Sequence, residues 1–211
     1  MYDIRGRSWI ALGDPVGEPA EFQELCWDFA QMARRASGRP VFYEVSARNL
    51  SLWLELGFTL HKIGEEAVLR LPEFSLKGSR FKTMRAACNK RHRDGYKFEL
   101  SRPPHAPALV DRLREVSGAW LACKAGREKG FSVGRFDPDY LKHFDLGLVR
   151  KDGRIVAFSN IMTTGGAGEA AVDLMRYLPE EASGLMEFMF LQLIEHYQAE
   201  GYQEFSLGMA P

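Results

Sequence analysis

The stretch from Gly168 to Gln198 constrains this chain more than any other. An apolar run, Ala170-Ala171-Val172-Asp173-Leu174-Met175-Arg176-Tyr177, leads into an acidic turn, Leu178-Pro179-Glu180-Glu181-Ala182-Ser183-Gly184, and then into a long apolar helix from Leu185 to Gln198. A short apolar run bounded by turn signals predicts a buried strand. Asp173 and Arg176 stand inside it, and burying a charge is costly unless the charge is paired or used. Chemistry is therefore expected where this strand feeds the helix.

Bulk properties narrow the field. The chain has 211 residues, enough for one large domain or two small ones, and carries 28 basic and 28 acidic residues. Zero net charge gives no sign of an anionic partner for the molecule as a whole. Cys26, Cys88 and Cys123 are odd in number and widely spaced, without metal-ligand spacing. They read as reduced, mostly buried thiols, which argues against a secreted disulfide scaffold. No secretory signal is present, nor an apolar run near the ~20 residues that a membrane span needs. The expectation is a soluble, cytoplasmic chain with no metal and no cofactor.

Along the chain, Trp9–Leu12 predicts a strand that ends in the turn Gly13-Asp14-Pro15-Val16-Gly17. Helix is predicted from about Pro19 to Ala36, with Phe22, Leu25, Cys26, Phe29, Met32 and Ala33 as its apolar face. Val41–Val45 is the next strand. A short helix, Asn49 to Leu56, ends at Gly57. Phe58 to Leu71 reads as a strand or a hairpin. After Phe98–Leu100, helices are predicted over Leu109–Cys123 and near Asp139–Phe144. Leu146–Val149 and Ile155–Thr163 form a hairpin through Lys151-Asp152-Gly153. Glu204–Leu207 is the last strand.

Between Lys77 and Lys97 the charge becomes one-signed. Lys77, Arg80, Lys82, Arg85, Lys90, Arg91, Arg93 and Lys97 stand against Asp94 alone, with Phe81, Met84, Ala87 and Cys88 at helical spacing among them. A basic amphipathic helix of this kind in a neutral protein points to phosphates, with a solvated charged face as the plain alternative. Lys82, Arg85, Lys90 and Arg93 are the candidate contacts.

From Phe98 onward the order of elements is strand, helix, helix, three antiparallel strands, helix, strand. That order resembles the first part of the GNAT acyltransferase fold. The order from Trp9 to Leu71, with Leu56-Gly57-Phe58, is similar to its last part. The resemblance implies an α/β (α+β) chain of tandem GNAT-like units, with mixed, mostly antiparallel sheets flanked by helices. Residues 1–76 are the C-terminal part of a first unit, 77–97 a basic connecting helix, and 98–211 a second unit lacking its C-terminal end; the chain is expected to be a piece of a longer protein. GNAT enzymes cradle the acetyl-CoA pyrophosphate on backbone N–H groups ahead of the helix after the central strand. Here that place holds Glu180 and Glu181, and the equivalent turn of the first unit holds Asp14 and Pro15. Acetyl-CoA is not expected at either.

Four stretches together resemble a narrower family: Ala11–Gly17, Glu128-Lys129-Gly130-Phe131-Ser132-Val133-Gly134-Arg135-Phe136, Asp173-Leu174-Met175-Arg176, and Phe205-Ser206-Leu207-Gly208-Met209-Ala210-Pro211. They are similar to the cytoplasmic catalytic domain of the MprF-type (multiple peptide resistance factor) aminoacyl-phosphatidylglycerol synthases, the phosphatidylglycerol lysyltransferases. The resemblance implies transfer of an aminoacyl group, lysyl first, from aminoacyl-tRNA to a glycerol hydroxyl of phosphatidylglycerol. This happens at the inner face of a bacterial membrane, and it alters surface charge and resistance to cationic peptides. Asp173 and Arg176 match the family's functional pair. An acyl transfer needs a proton removed and an oxyanion stabilised. Asp173 suits the proton or the substrate ammonium, and Arg176 suits a phosphate; the plain alternative is a structural ion pair. Positions i and i+3 on a regular strand face opposite ways, so the pair needs a bulge between them or serves two sides of the sheet. Glu128 and Phe131 are candidates for an aminoacyl pocket or belong to a surface loop with one anchoring aromatic. A Fem-like transferase acting on a peptidoglycan precursor and a non-catalytic fragment binding tRNA or membrane are the competing functions.

Overall fold

The computed structural model describes residues 1–124, 128, 130, 131, 134–181 and 183–210. Lys129, Ser132 and Val133 of the Glu128–Phe136 motif, with Ala182 and Pro211, lie outside the described residues. The chain forms two compact units, Met1–Gly64 and Glu65–Ala210.

In the first unit, β1 (Tyr2–Arg5) runs antiparallel to β2 (Ser8–Leu12), and β2 runs parallel to β3 (Arg39–Tyr43). The connection between β2 and β3 contains α1 (Phe22–Arg35), and α2 (Leu50–Glu55) follows β3. Cys26, Ala30 and Ala33 are the buried positions of α1, while Leu25 and Met32, expected inside, are exposed. The interior is built by aromatics instead: Phe29, Phe42, Trp53 and Phe58 meet edge to face or tilted. Burial, then the Asp14 carboxylate, push the Cys26 thiol up to about 11. Cys88 is half-buried and Cys123 exposed, so one of the three thiols is fully inside rather than most of them.

The second unit is a six-stranded sheet in the order β4-β9-β8-β7-β6-β5. Its strands are β4 (Glu65–Arg70), β5 (Tyr96–Ser101), β6 (Asp145–Lys151), β7 (Arg154–Thr163), β8 (Glu169–Tyr177) and β9 (Glu204–Ala210). All neighbours are antiparallel except β8 and β9. The sequence placed the first unit's end at 76. The strand within Phe58–Leu71 is only β4, and it pairs with β9, so it belongs to the second unit. α3 (Lys82–Arg93) packs beside α6 (Leu185–Ala199) and is likewise part of the second unit rather than a free connector. α4 (Pro107–Ala122) covers β7 and β8 on the other face, and α5 (Pro138–Leu141) is a single turn after it.

The apolar run expected to be a buried strand is β8, and the apolar helix expected after it is α6. Leu185, Phe188, Met189, Leu193, Ile194 and Tyr197 of α6 join Leu148, Phe158, Leu174 and Phe205 of the sheet in one core. Two departures from regularity shape β8. The first is its pairing with β9, which joins Glu169 to Glu204, Ala170 to Phe205 and Ala171 to Ser206, and then stops although both strands run on. The second is a bulge. Ser159 pairs with Met175 and Ile161 with Val172, so Asp173 and Leu174 together oppose Asn160. That extra residue reverses the alternation and brings Asp173 and Arg176 to the same face, the one covered by α4.

Asn160 is fully buried and holds the bulge from within. Its amide oxygen accepts from the Leu174 N–H at 2.8 Å, and its amide nitrogen donates to the Asp173 carboxylate at 3.1 Å. Asn160→Ala leaves a buried N–H without its partner, and is expected to lower stability by about 1–3 kcal/mol. Urea unfolding measures this; an unchanged midpoint would mean that the bulge holds without its clamp.

Candidate functional site

Three donors converge on Asp173. The Gly134 N–H reaches Oδ1 at 2.6 Å, and the Tyr140 hydroxyl and Asn160 amide reach Oδ2 at 2.8 and 3.1 Å. A Cβ built on Gly134 would overlap the carboxylate, so glycine permits the close approach there. Asp137 caps α5 by accepting from the Asp139 N–H, and α5 carries Tyr140. Burial first, then the bond to Asp173, raise the Tyr140 phenol, which keeps it a proton donor. A carboxylate offers about four lone-pair sites, so three donors leave room for one more.

Arg176 shares the face of Asp173 and is almost entirely enclosed. Its guanidinium donates to Glu128 at 2.8 Å and to the Met175 carbonyl at 2.9 Å, and it lies 4.1 Å from the centre of the Trp120 ring. Glu128 also accepts from the Phe136 N–H at 3.2 Å. The segment between α4 and α5 is thus tied down twice, at Gly134 on Asp173 and at Glu128 on Arg176. The sequence expected Arg176 to face a phosphate, but its visible bonds are internal. Glu128 comes together with Asp173 and Arg176. Phe131 is half-buried in the same segment and, among the described residues, is not one that packs on the core cluster.

The basic helix is elsewhere, on the α6 side of the sheet. Lys82, Lys90 and Arg93 are exposed. Arg85 is half-buried and donates to the carbonyls of Leu76 and Gly78, so it fastens the preceding loop. The seam expected at Phe81, Met84, Ala87 and Cys88 is only partly enclosed: Phe81 and Cys88 are half-buried, and Met84 and Ala87 are exposed.

At the turn before α6, Glu181 accepts from the Tyr96 hydroxyl and from Lys151 at 2.9 Å. The Tyr96 bond first, then Lys151, hold its carboxyl below the usual carboxylate range. Arg91 lies 4.7 Å from the centre of the Tyr96 ring. The place where a pyrophosphate sits in GNAT enzymes thus holds a carboxylate of the chain itself, already supplied with donors. Among the described residues no group of three or more His, Cys, Asp or Glu side chains could hold a metal, and no helix is long and apolar enough to cross a membrane.

The family model for the C-terminal part of phosphatidylglycerol lysyltransferase matches residues 1–211. This chain belongs to that family. The phosphatidylglycerol lysyltransferase of Bacillus subtilis (strain 168) is 35% identical over 206 residues, which are 97% of this chain and 24% of that protein. The chain therefore spans about a quarter of the length of the curated relatives it matches. The C-terminal domain of a lysylphosphatidylglycerol synthetase candidate from Agrobacterium fabrum superposes with a TM-score of 0.95 at 43% identity, over all of this chain and 67% of that one. L-PGS from Bacillus licheniformis gives 0.93 at 34%, with the same coverage. At fold level alone, FemX (TM-score 0.61, 10% identity, 99% of this chain and 74% of that one) and a GCN5-related N-acetyltransferase of Kribbella flavida (0.51, 13%, 95% and 70%) share the architecture.

Sequence reasoning singled out Asp173, Arg176 and Glu128. It quoted Gly134 inside a motif without a role, and it missed Tyr140, Asn160 and Trp120. Tyr140 had a faint signal in its place one turn after the capping Asp137. Asn160 had one in being the only amide in an apolar strand.

The ion pair is enclosed, with 7% of the Arg176 side chain and 22% of the Glu128 side chain exposed. Removing one member of such a pair typically costs about 3–5 kcal/mol, because the other stays buried and unpaired. Arg176→Ala is expected to fall in that range by urea unfolding, and Glu128→Gln at its lower end, since an amide oxygen still accepts from Arg176 and Phe136 but leaves the buried guanidinium charge uncompensated. Equal, small losses for both would mean that the pair is solvated in solution.

Proposed function

We propose that this chain is the catalytic part of a transferase that moves a lysyl group from lysyl-tRNA to a glycerol hydroxyl of phosphatidylglycerol, at the inner face of a bacterial membrane. The observation that carries the reading is the Asp173 carboxylate, held by three neutral donors with one acceptor direction left. The lysyltransferase family supplies the reaction class, and a lysyl ester supplies the missing donor, its α-ammonium. Anchoring that ammonium fixes the ester carbonyl two bonds away, which converts transfer into a problem of position. The glycerol oxygen forms a bond to the carbonyl carbon, the bond from that carbon to the ribose oxygen breaks, and the ribose oxygen takes the proton that the glycerol gave up. No electrons are gained or lost, and acetyl-CoA has no part. Arg176 is a positioning residue in this scheme. It holds Glu128, and through it the segment carrying Phe131 and Gly134, as one wall of the aminoacyl pocket.

Asp173→Asn removes the charge and replaces one of the two accepting oxygens by an amide nitrogen, which meets either the Gly134 N–H or the Tyr140 and Asn160 donors. Hydrogen bonds to charged groups are worth about 1.5–3 kcal/mol, so kcat/KM for lysyl-tRNA per folded molecule is expected to fall about 10- to 100-fold, with the unfolding midpoint lowered by the donor bond that the amide loses. The assay is lysine transfer to phosphatidylglycerol vesicles by the full-length protein that carries this chain. Wild-type kcat/KM in the variant removes Asp173 from the site, and transfer to a peptidoglycan precursor in place of lipid overturns the acceptor.

The exposed cations of α3 are the proposed phosphate contacts, with Arg85 fixing the loop beside them. Replacing Lys82, Lys90 and Arg93 by alanine is expected to flatten the salt dependence of binding, since each phosphate contact releases counterions. Loss of the slope for free tRNA alone assigns the helix to tRNA, and loss for anionic vesicles alone assigns it to lipid. An unchanged slope for both leaves a solvated face.

A further inference from the structure

The Phe205–Pro211 motif contains a hydroxyl that the site around Asp173 does not use. Ser206 is 2% exposed and donates to the Glu66 carboxylate at 2.6 Å. It accepts in turn from the Gly208 N–H at 3.1 Å, which locks its rotamer. Gly208 has a φ of 84°, the left-handed conformation that turns its N–H back on Ser206. Glu66 itself is exposed, on β4. A buried serine that orients an exposed carboxylate is the arrangement by which a base is held ready.

Its position is as informative as its chemistry. Ser206 pairs with Ala171, the last rung before β8 and β9 part. In a parallel ladder, paired residues project to one face, and Asp173 lies two residues beyond Ala171 on that face. A strand spacing of about 4.8 Å and a two-residue rise of about 6.6 Å put the Ser206 and Asp173 positions about 8 Å apart. An α-amino ester anchored on Asp173, with a hydroxyl approaching its carbonyl from the far side, spans that gap. Glu66 is held on Ser206, at the other end of that span. Arg70, on the same strand as Glu66, is opposite Glu204 in the ladder.

We infer that Glu66 is the group that accepts the proton of the incoming hydroxyl, and that Ser206 is the positioning residue that aims it. The inference rests on the proposed lysyl transfer. Asp173 is full once it holds an ammonium and has no lone pair for a proton. Glu66 takes the proton as the new C–O bond forms and returns it to the ribose oxygen as the old C–O bond breaks, so the carboxylate is regenerated in each cycle.

Glu66→Gln separates this role from a structural one, because the amide oxygen still accepts from Ser206. General-base catalysis contributes about 10²–10⁴ in rate. In the full-length protein, with lysyl-tRNA and phosphatidylglycerol vesicles, Glu66→Gln is expected to lower kcat at least 100-fold, with both KM values and the unfolding midpoint kept. Formate is expected to restore part of the rate to Glu66→Ala. Ser206→Ala is expected to lower kcat about 10-fold, and the Ser206→Ala/Glu66→Gln double variant to match Glu66→Gln alone. Wild-type kcat in Glu66→Gln overturns the inference and makes the pair structural. If Asp173→Asn is crippled in the same assay, the transfer reading survives that result; if Asp173→Asn is fully active while Glu66→Gln is not, the anchoring reading fails and the base stands.

Discussion

Asn160 makes two hydrogen bonds, one to each of the two residues that share its place in the ladder. Without the extra residue, Asp173 and Arg176 would project to opposite faces of the sheet, one toward α4 and one toward α6. With it, a carboxylate and a guanidinium share one face, each bound to the same short segment. A bulge is a local irregularity with a backbone N–H to satisfy, and at a residue as buried as Leu174 that donor cannot turn to water. One carboxamide meets both needs, since its oxygen takes the N–H and its nitrogen steadies the acid.

The second unit keeps several carboxylates in different states of engagement. Glu181 and Glu128 are paired with cations, Lys151 and Arg176, and each secures a turn or a segment. Asp173 is held by neutral donors and so retains its full charge toward a cation from outside. Glu66 has a single described bond, to a hydroxyl, and lies at the surface. Charge that is neutralised internally builds the walls, and charge that is merely oriented faces the opening. For the proposed transfer this division matters, because the substrate ammonium needs an anion not already paired with a cation.

The secondary structure was legible wherever hydrophobic period and turn chemistry agreed. The apolar run and the helix after it, Trp9–Leu12, and the hairpin through Asp152-Gly153 all form near the expected bounds. What escaped was set by partners distant in sequence. β1 is an edge strand whose apolar and polar residues alternate over only four positions, too short a run to mark a strand by itself. The assignment of β4 depends on its pairing with β9, more than 130 residues away, and no local pattern encodes that. In the site, Asp173 and Arg176 were legible because charges in an apolar strand stand out. Their shared face was not, since it depends on a register shift opposite Asn160. Arg85 and Arg93 looked alike as members of one basic run, yet the carbonyls of Leu76 and Gly78 claim the first and leave the second outside.

The unpaired reach of β8 and β9 has a thermodynamic side. Beyond Ala171 and Ser206 the two strands present inner edges to each other with no rung between them, so the middle of the sheet contains two edges of the kind usually found at its margins. The cooperative framework is therefore lopsided: β5 to β8 form one continuous hydrogen-bonded slab, while β4 and β9 form a ribbon hinged to it by three rungs. What ties the ribbon to the rest beyond those rungs is side-chain packing, chiefly the buried Phe205 and Leu71 against α6, so the width of the gap is set by the core rather than by backbone pairing.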